Sequence, residues 1–391
     1  MKNNLPKKFN YNYLPNQYKR NKSISINHSY LVEQFADYKK IFNILEKVVK
    51  KADYTLGDEV NKFERNISSR MKSKHTIAVG NGTDALFLVL KALNIGEGDE
   101  VITTPYTFIA TVASIVTAGA KPVFVDIKDD YNINEKNIQK AITKKTKAIM
   151  VVNWSGRPCE LDEITKISKK NNLKFIQDAC HCIDSKFKNK SIVNYSDACT
   201  FSLHPLKNLN VWGDGGFILT NKKELAKKLS LMRNHGLRDR NNCDVFAYNS
   251  RLDTIQAAIA NYKIKKKLNK ITQTRISNAK LLDNLLSSVK QVTLPKRKKY
   301  LKEVFHLYQI NVIERDKLMK YLISKNIDAK VHYPIPIHLQ KAAKFLKHKA
   351  GDFPMAEKMA KTSVSLPVHE FVSKSEIIYI AKTIKKYYQN Y

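Results

Sequence analysis

The chain has 391 residues, and 69 lysines and arginines against 35 acidic residues give it a net charge of +34 at pH 7. Its hydrophobic content of 43% is enough for a packed core and excludes a disordered chain in spite of the high charge. No apolar stretch reaches the ~18 residues that a membrane-spanning helix needs, so we predict no membrane insertion.

The N-terminus and the cysteines bear on the cellular compartment. The first twenty residues are polar and lack the apolar segment of a secretory signal. The cysteines are odd in number and widely spaced, which argues against a disulfide framework. They are Cys159, Cys180, Cys182, Cys199 and Cys243. We therefore expect a cytoplasmic protein.

A charge of +34 is also typical of proteins that bind nucleic acids. The lysines are nevertheless spread along the chain, and only residues 263–270 and 296–302 form dense basic runs. No nucleic-acid-binding motif accompanies them. We expect no nucleic-acid partner and keep a basic nucleic-acid-binding protein as a remote alternative.

In chain order, residues 1–25 carry six basic and no acidic side chains and are predicted to form an extended or disordered basic arm. A helical pattern begins near Tyr38, and a second helix is predicted over residues 58–71. Short apolar runs then alternate with helix-length segments, which favours an α/β domain with a mostly parallel sheet. The predicted strands are 76–79, 100–103, 122–126, 148–152, 174–177, 200–202 and 216–219, and the predicted helices are 83–93, 108–118, 135–142 and 161–170.

The pattern changes in the last third of the chain. Residues 251–287 are mostly helical and suited to bridging two domains. A strand over 305–312, helices over 315–325 and 375–388, and a proline-containing loop over 333–336 indicate a smaller α+β domain. We predict a large domain over residues 26–250, a bridging segment over 251–290 and a small domain over 291–391.

Three sites carry candidate chemistry. The first is the glycine-containing segment 79–86 between a strand and a helix, where backbone N–H groups at the helix start attract an anion. Asn81 or Thr83 is equally consistent with a simple helix cap.

The second site is Asp178, which ends an apolar strand, where open α/β sheets bind ligands. A cap for the following turn is the alternative. The adjacent Cys180, His181 and Cys182 suggest metal ligands, but no second cluster completes a zinc site, and we predict no metal.

The third site is Lys207, in a short loop before the glycine-rich turn 213–216. By default a lysine is a solvated charge. Partial desolvation in this loop would lower its pKa and supply the neutral amine that Schiff-base chemistry requires. A phosphate cradle, an acid and a lysine in this order are what pyridoxal phosphate requires, since the acid keeps its pyridine nitrogen protonated.

These motifs resemble the DegT/DnrJ/StrS family of pyridoxal-phosphate-dependent sugar aminotransferases. The family has an aspartate-aminotransferase-like fold (fold type I), with a large, mostly parallel α/β domain and a smaller C-terminal α+β domain. The resemblance extends from about Tyr54 to the last helix. It covers, in the family's order, residues 79–86, 104–125, 177–181, 202–216, 233–237, 248–258 and 331–340.

The resemblance implies a role for each matching residue at the cofactor. Lys207 would be the Schiff-base lysine and Asp178 the partner of the pyridine nitrogen. The phosphate contacts would be Gly82, Thr83 and Ser202, with Asn249 reaching it from the neighbouring subunit of a homodimer; a helix cap is the alternative for Asn249. His181 would lie near the ring oxygen, and Phe108 would stack on the ring, although an aromatic residue on an amphipathic helix explains Phe108 equally well.

Other matching residues correspond to regions that line the sugar-nucleotide site. They are Arg233, His235, His332, Tyr333 and His338, for which a packed proline-rich loop is the alternative. Two departures from the family pattern are the extra basic arm and residues 153–156, where a histidine/aromatic-glycine pattern is more usual. The second leaves the sugar substrate open.

The resemblance therefore implies a homodimeric enzyme that transfers an amino group from L-glutamate to a nucleotide-diphosphate-linked keto-hexose. The product would be an amino sugar for glycan biosynthesis, and Lys207 would carry the α-proton of the donor. A sugar dehydratase or a regulatory family member is the alternative. The dehydratase branch has histidine in place of the lysine, so Lys207 argues against it.

Overall fold

The computed structural model describes residues 17–389 of the chain. The strands are β1 (His75–Val79), β2 (Glu100–Thr103), β3 (Lys121–Phe124), β4 (Thr146–Val152), β5 (Lys174–Asp178), β6 (Lys186–Phe187), β7 (Lys190–Ser191), β8 (Ala198–Ser202), β9 (Gly216–Thr220), β10 (Val292–Thr293), β11 (Leu301–Lys302), β12 (Tyr308–Val312) and β13 (Ser363–Leu366). The α-helices are α1 (Leu31–Gln34), α2 (Tyr38–Lys50), α3 (Asp58–Met71), α4 (Gly82–Ala92), α5 (Ile109–Thr117), α6 (Glu135–Ala141), α7 (Leu161–Lys170), α8 (Lys223–Met232), α9 (Thr254–Lys266), α10 (Leu268–Leu286), α11 (Arg315–Ser324), α12 (Pro354–Thr362) and α13 (Lys374–Gln389).

A seven-stranded sheet with the order β1–β9–β8–β5–β4–β2–β3 forms the centre of the larger part of the molecule. The pairs from β3 to β8 are parallel, and β9 is antiparallel to both β1 and β8. Strand β4 is buried at all but one position, as expected for a sheet covered on both faces. The predicted α/β class with a mostly parallel sheet is confirmed.

The topology brings the candidate residues to one edge of the sheet. Because β9 lies antiparallel between β1 and β8, the carboxyl ends of β1, β5 and β8 share an edge. Gly216 at the start of β9 pairs with Val79 on one side and Ser202 on the other. Asp178 pairs with Thr200 on β8. Open α/β sheets bind their ligands at such an edge.

A second, antiparallel sheet has the order β10–β12–β13 and packs against α11 and α13. Helix α10 contributes Ala279, Leu282 and Leu286 to this second core, whereas α9 packs into the core of the large sheet. The domain boundaries at residues 250 and 290 stay a prediction.

The long helical stretch predicted over residues 251–287 is two helices, α9 and α10, separated at Lys267. No glycine or proline marks the break. The Lys267 ammonium donates to the Gln34 carbonyl at 2.7 Å and pairs with Asp37. This contact is with residues next to the N-terminal helices α1 and α2, so the local sequence around Lys267 does not predict it.

The predicted basic arm is described only in part, because residues 1–16 lie outside the described residues. In the described part of the N-terminal segment Ile24 is buried, and Ile26 pairs with Ile327 and packs in the core of the small domain. Within residues 17–389, none of the helices combines the length and apolar character that crossing a membrane requires.

Candidate active site

The turn between β1 and α4 forms a close-packed cradle at the sheet edge. Asn81 caps α4, because its side-chain oxygen accepts a hydrogen bond from the Asp84 N–H at 2.8 Å. A Cβ on Gly82 would lie 2.8 Å from the Ser202 Cβ, and one on Gly216 would lie 2.4 Å from the Asn81 carbonyl oxygen. The cradle therefore brings Gly82 and Ser202 together and leaves no room for larger residues at Gly82 or Gly216; their contact with a phosphate stays a prediction. Thr83 follows on the exposed first turn of the helix.

Lys207 lies in a turn that follows β8 and closes with a hydrogen bond from its own N–H to the His204 carbonyl at 2.8 Å. Its side-chain amine has no hydrogen bond or ion pair with any of residues 17–389. Burial lowers the pKa of Lys207 below its usual value, and the nearby Cys180 and Asp178 oppose this shift. The loop thus holds an amine that loses its proton more easily than a solvated lysine.

Two asparagines fix the loop that carries Lys207, and the sequence analysis missed both. The Asn210 amide donates to the Gln34 side chain at 2.9 Å and to the Pro205 carbonyl. The Asn208 amide donates to the Val304 carbonyl at 3.2 Å. Their alternation with apolar Leu209 and Val211 in a buried segment was the available signal, because buried amides require partners.

Asp178 is buried at the end of β5 with no cation within ion-pair distance among the described residues. One carboxylate oxygen accepts the Thr111 hydroxyl at 2.7 Å, and the other accepts the Cys180 N–H at 3.2 Å. A buried carboxylate without a cation is costly unless it serves a ligand. Thr111 on α5 is a second residue that the sequence analysis did not single out.

His181 is buried beside this acid. Its Nδ1 accepts the Ser155 N–H at 3.3 Å, and its ring centre lies 4.2 Å from that of His306. Burial and the nearby Lys207 hold the pKa of His181 well below its usual value, so the ring is neutral near pH 7. The flanking Cys182 thiol donates to the Asn153 carbonyl at 3.3 Å, and burial raises its pKa.

An aromatic group lies on the side of the small domain. Phe108 precedes α5 and is half exposed, and its ring centre lies 5.7 Å from that of Tyr333. The adjacent His332 binds the Ser365 hydroxyl at 2.9 Å through Nδ1. His338 is instead packed away, with a fully buried side chain whose Nε2 lies 3.1 Å from a Glu357 carboxylate oxygen. This placement favours the packed-loop interpretation for His338.

Three predicted residues lie apart from Lys207. Arg233 donates to the Ala78 carbonyl at 2.8 Å and pairs with Glu64, so it supports β1 from outside. His235 and Asn249 are exposed on the loop that follows α8. No hydrogen bond joins any of the three to Lys207, Asp178 or Ser202 within residues 17–389.

The N-terminal segment reaches the same region. The Tyr18 hydroxyl lies 3.0 Å from Nε2 of His204, three residues before Lys207. The His28 ring stacks on that of His332 with 5.8 Å between centres. The part of the basic arm that the structure describes therefore contacts the loop that carries Lys207, and its neighbour His28 contacts the loop of the small domain that carries His332.

Comparisons with known proteins agree with this geometry. Residues 36–385 match the DegT/DnrJ/EryC1/StrS aminotransferase family. A pleiotropic regulatory protein from Geobacillus stearothermophilus is 39% identical over 92% of this chain and 98% of its own length. A dTDP-3-amino-3,6-dideoxy-alpha-D-galactopyranose transaminase from Aneurinibacillus thermoaerophilus is 37% identical over 89% of this chain and 95% of its own.

Two solved structures extend the comparison to the fold. DesV of S. venezuelae superposes with a TM-score of 0.90 at 28% identity and covers 93% of this chain and 98% of its own. NtdA of Bacillus subtilis, solved with its bound cofactor PMP, superposes with a TM-score of 0.84 at 28% identity, covering 94% and 87%. The predicted aspartate-aminotransferase-like fold type I architecture is confirmed.

The predicted cofactor, pyridoxal phosphate, is confirmed by the family match and by the PMP-bound neighbour. The residues present also fit this group. An unpaired amine at Lys207, a buried carboxylate without a cation at Asp178 and a glycine-lined helix start at Gly82 meet at one sheet edge. The predicted enzyme class, a pyridoxal-phosphate-dependent sugar aminotransferase, is confirmed at the level of the family. This chain belongs to the DegT/DnrJ/EryC1/StrS aminotransferase family.

Proposed function

We propose that this protein transfers an amino group from L-glutamate to a nucleotide-diphosphate-linked keto-hexose and so produces an amino sugar. The observation that carries the proposal is the unpaired amine of Lys207, held in a fixed loop near the buried carboxylate of Asp178. The nucleotide-sugar transaminase among the relatives supports the substrate class.

The site residues have distinct roles in this proposal. When bound, pyridoxal phosphate supplies an aldehyde that reacts with amines and a ring that accepts electrons. The cradle at Gly82, Thr83 and Ser202 binds its phosphate at the start of α4, where backbone N–H groups favour an anion. Asp178, oriented by the Thr111 hydroxyl, holds a proton on the ring nitrogen.

Lys207 is the proposed base. Its Nζ removes the proton from Cα of glutamate and, in the reverse half-reaction, delivers a proton to the sugar carbon that receives the amino group. Burial favours the neutral amine that this step needs.

His181 and Phe108 flank the ring in this proposal, and His332 and Tyr333 offer contacts for the sugar. In this proposal Arg233, His235 and His338 lie farther from the cofactor or contribute only to packing.

A homodimer with shared active sites belongs to the same proposal. Asn249 is exposed, while the next residue, Ser250, turns inward and donates its hydroxyl to the Asp84 carboxylate at 2.7 Å. An exposed amide at this position is free to reach the phosphate site of a second copy. The cysteines that the structure describes are free thiols, which supports a reducing, cytoplasmic location.

A regulatory role is the second candidate, because the relative from Geobacillus stearothermophilus is named as a regulatory protein. A family member that had lost catalysis would have no need to keep a buried amine without a partner, and a buried carboxylate without a cation, among the described residues, since both destabilise the fold. The basic runs also give little support to nucleic-acid binding. Lys263 is buried, and Lys298 pairs with Glu160.

The absorption spectrum of the purified protein tests the proposal. We expect a yellow band from the bound cofactor that disappears on addition of L-glutamate, with release of 2-oxoglutarate. Lys207→Ala abolishes this conversion, whereas Lys170→Ala, an exposed lysine on α7, leaves it unchanged. A wild-type protein that binds the cofactor but releases no 2-oxoglutarate with glutamate would contradict the proposed donor reaction and favour the regulatory role.

A further inference from the structure

A cavity of about 250 Å³, separate from the candidate active site, lies between the C-terminal end of α3, the start of α10 and the small β11–β6–β7 sheet. None of the residues assigned above to cofactor or sugar lines it. A single water occupies ~30 Å³ in the liquid, so this space is large enough for a small ligand. Its volume lies below the ~300–1,000 Å³ of pockets for larger organic ligands.

The cavity wall is strongly cationic. Arg70, Lys72, Lys186 and Lys302 line it, against the single carboxylate of Asp184. That carboxylate is already satisfied, because it accepts the Arg70 guanidinium at 2.6 Å and the Thr272 hydroxyl at 3.1 Å. None of the three lysines forms an ion pair with a described residue. The wall therefore carries three uncompensated positive charges.

The strand register places two of these lysines next to each other. In the small sheet, Lys302 on β11 lies directly opposite Lys186 on β6, and Lys186 lies directly opposite Ser191 on β7. Directly opposite residues share one face of a sheet with their Cβ atoms ~5 Å apart, and like charges in this position destabilise the pair. The sheet thus places the bases of two lysine side chains side by side at the cavity.

Ser191 lies opposite Lys186 in the same row across the small sheet, and its environment is independent evidence for a bound ligand. The residue is 9% exposed, and its hydroxyl has no hydrogen-bond partner among the described residues. Buried hydroxyls are nearly always paired in native proteins. Burial, together with Lys186 and Arg70, lowers the pKa of Lys302, and the nearby Asp184 opposes this shift only in part.

We propose that this cavity binds a phosphate group, with Lys186, Lys302 and Ser191 as its ligands and Arg70 and Lys72 at its rim. A dianion compensates the facing lysines, and its oxygens accept the hydrogen bond that the Ser191 hydroxyl does not make within the protein. The phosphate is either the free ion or the ester group of a small metabolite. The proposal does not depend on the proposed aminotransferase reaction.

Calorimetric titration of the cofactor-loaded enzyme tests this site, because the cofactor then fills the other phosphate cradle. Inorganic phosphate and glucose 1-phosphate serve as separate probes, at constant ionic strength. We expect the double variant Lys186→Gln/Lys302→Gln to weaken binding of both probes by about tenfold or more, because it removes two charge-assisted contacts. The control Lys169→Gln/Lys170→Gln has the same charge change on α7 and is expected to lose less than about twofold.

Ser191→Ala is the variant least able to disturb the fold, since its hydroxyl binds nothing within the described chain. We expect it to weaken phosphate binding by about threefold or more while Tm stays unchanged. Tighter binding of glucose 1-phosphate than of inorganic phosphate, with the difference lost in Lys186→Gln/Lys302→Gln, identifies an ester as the ligand, and equal binding identifies the free ion. Equal losses in the double variant and its control, or unchanged binding in Ser191→Ala, would overturn the site. The readout is binding alone, so either result leaves the aminotransferase proposal untouched.

Discussion

At the scale of single residues, the environment of Asp178 matters most for chemistry. Its carboxylate is buried and receives a hydroxyl and a backbone N–H, but no cation among the described residues. A group held in this way is poised to stabilise a positive charge that arrives with a ligand, which in the proposed function is the protonated ring nitrogen of the cofactor. Thr111 orients the carboxylate from the first turns of α5.

Asp178→Asn is therefore expected to lower kcat/KM of the glutamate half-reaction by about 10²–10³, as for the loss of a preorganised electrostatic contact. Thr111→Val removes the hydrogen bond to Asp178 together with the 2.8 Å bond between the Thr111 and Thr107 hydroxyls, and it is expected to lower kcat/KM about fivefold. Stopped-flow absorbance measures both rates. Thr165→Val serves as the control, because it removes a hydroxyl that donates to the Leu161 carbonyl on distant α7. Wild-type rates in Asp178→Asn would contradict the assigned role.

At the scale of elements, the loop that carries Lys207 is held by a contact with α9. The ammonium of Lys263 donates to the side chain of Asn210 and lies 4.3 Å above the ring of Phe35. Asn210 in turn binds Gln34 next to Phe35. One buried lysine thus joins α9, the catalytic loop and the end of α1.

Burial of Lys263 makes this junction sensitive to pH. Although its hydrogen bond and ring contact favour the charged form, desolvation lowers the pKa of Lys263 from 10.5 to about 7. Between these values the unfolded chain binds a proton that the folded chain has lost, so the free energy of unfolding rises with pH.

We expect the unfolding free energy of the wild type, relative to Lys263→Met, to rise by about 1.4 kcal/mol per pH unit from about pH 7 towards 10.5. Urea denaturation at a series of pH values measures it. Lys266→Met on the exposed side of the same helix is the control and is expected to show no such slope. A difference between wild type and Lys263→Met that is flat across this window would show that Lys263 stays protonated in the fold.

At the scale of the whole molecule, the loop after α8 is exposed in a single copy of the chain. Phe246 is 99% exposed, and Val245 and Tyr248 are about 40% exposed. Exposed aromatic residues that cluster are typical of protein interfaces. Asn249 lies in the same loop, which agrees with the proposed homodimer in which each copy completes the site of the other.

Mixed dimers test this arrangement. Lys207→Ala and Asn249→Asp are each expected to be nearly inactive, the second because a carboxylate would face the cofactor phosphate. If Asn249 acts across the interface, a dimer of one copy of each variant contains one wild-type site. Random exchange of equal amounts then restores about a quarter of the wild-type activity, because half of the dimers are mixed and have one intact site of two.

A mixture that stays inactive after subunit exchange would place Asn249 in the same site as the Lys207 of its own chain. Native mass spectrometry of the mixture verifies that exchange has occurred.

The sequence by itself determined the fold class, the family and most of the longer strands and helices, whereas α1, α8, α12, β13 and the two-residue strands β6, β7, β10 and β11 were not predicted. Apolar runs such as residues 148–152 and amphipathic stretches such as 161–170 depend on local periodicity, and the structure has them at nearly the predicted bounds. The motif around Lys207 also needs only local sequence to be recognised. These features depend only on residues that are neighbours in the sequence.

Only the tertiary structure decided which of these residues meet. Three features depend on contacts between segments that are far apart in the chain. They are the break at Lys267, the hydrogen bond from Lys263 to Asn210, and the row in which Lys302 lies beside Lys186 and Ser191. His338 matched the family pattern, yet packing turned it towards Glu357. Burial, register and the partners of polar groups arise from long-range packing, so no local pattern contains them.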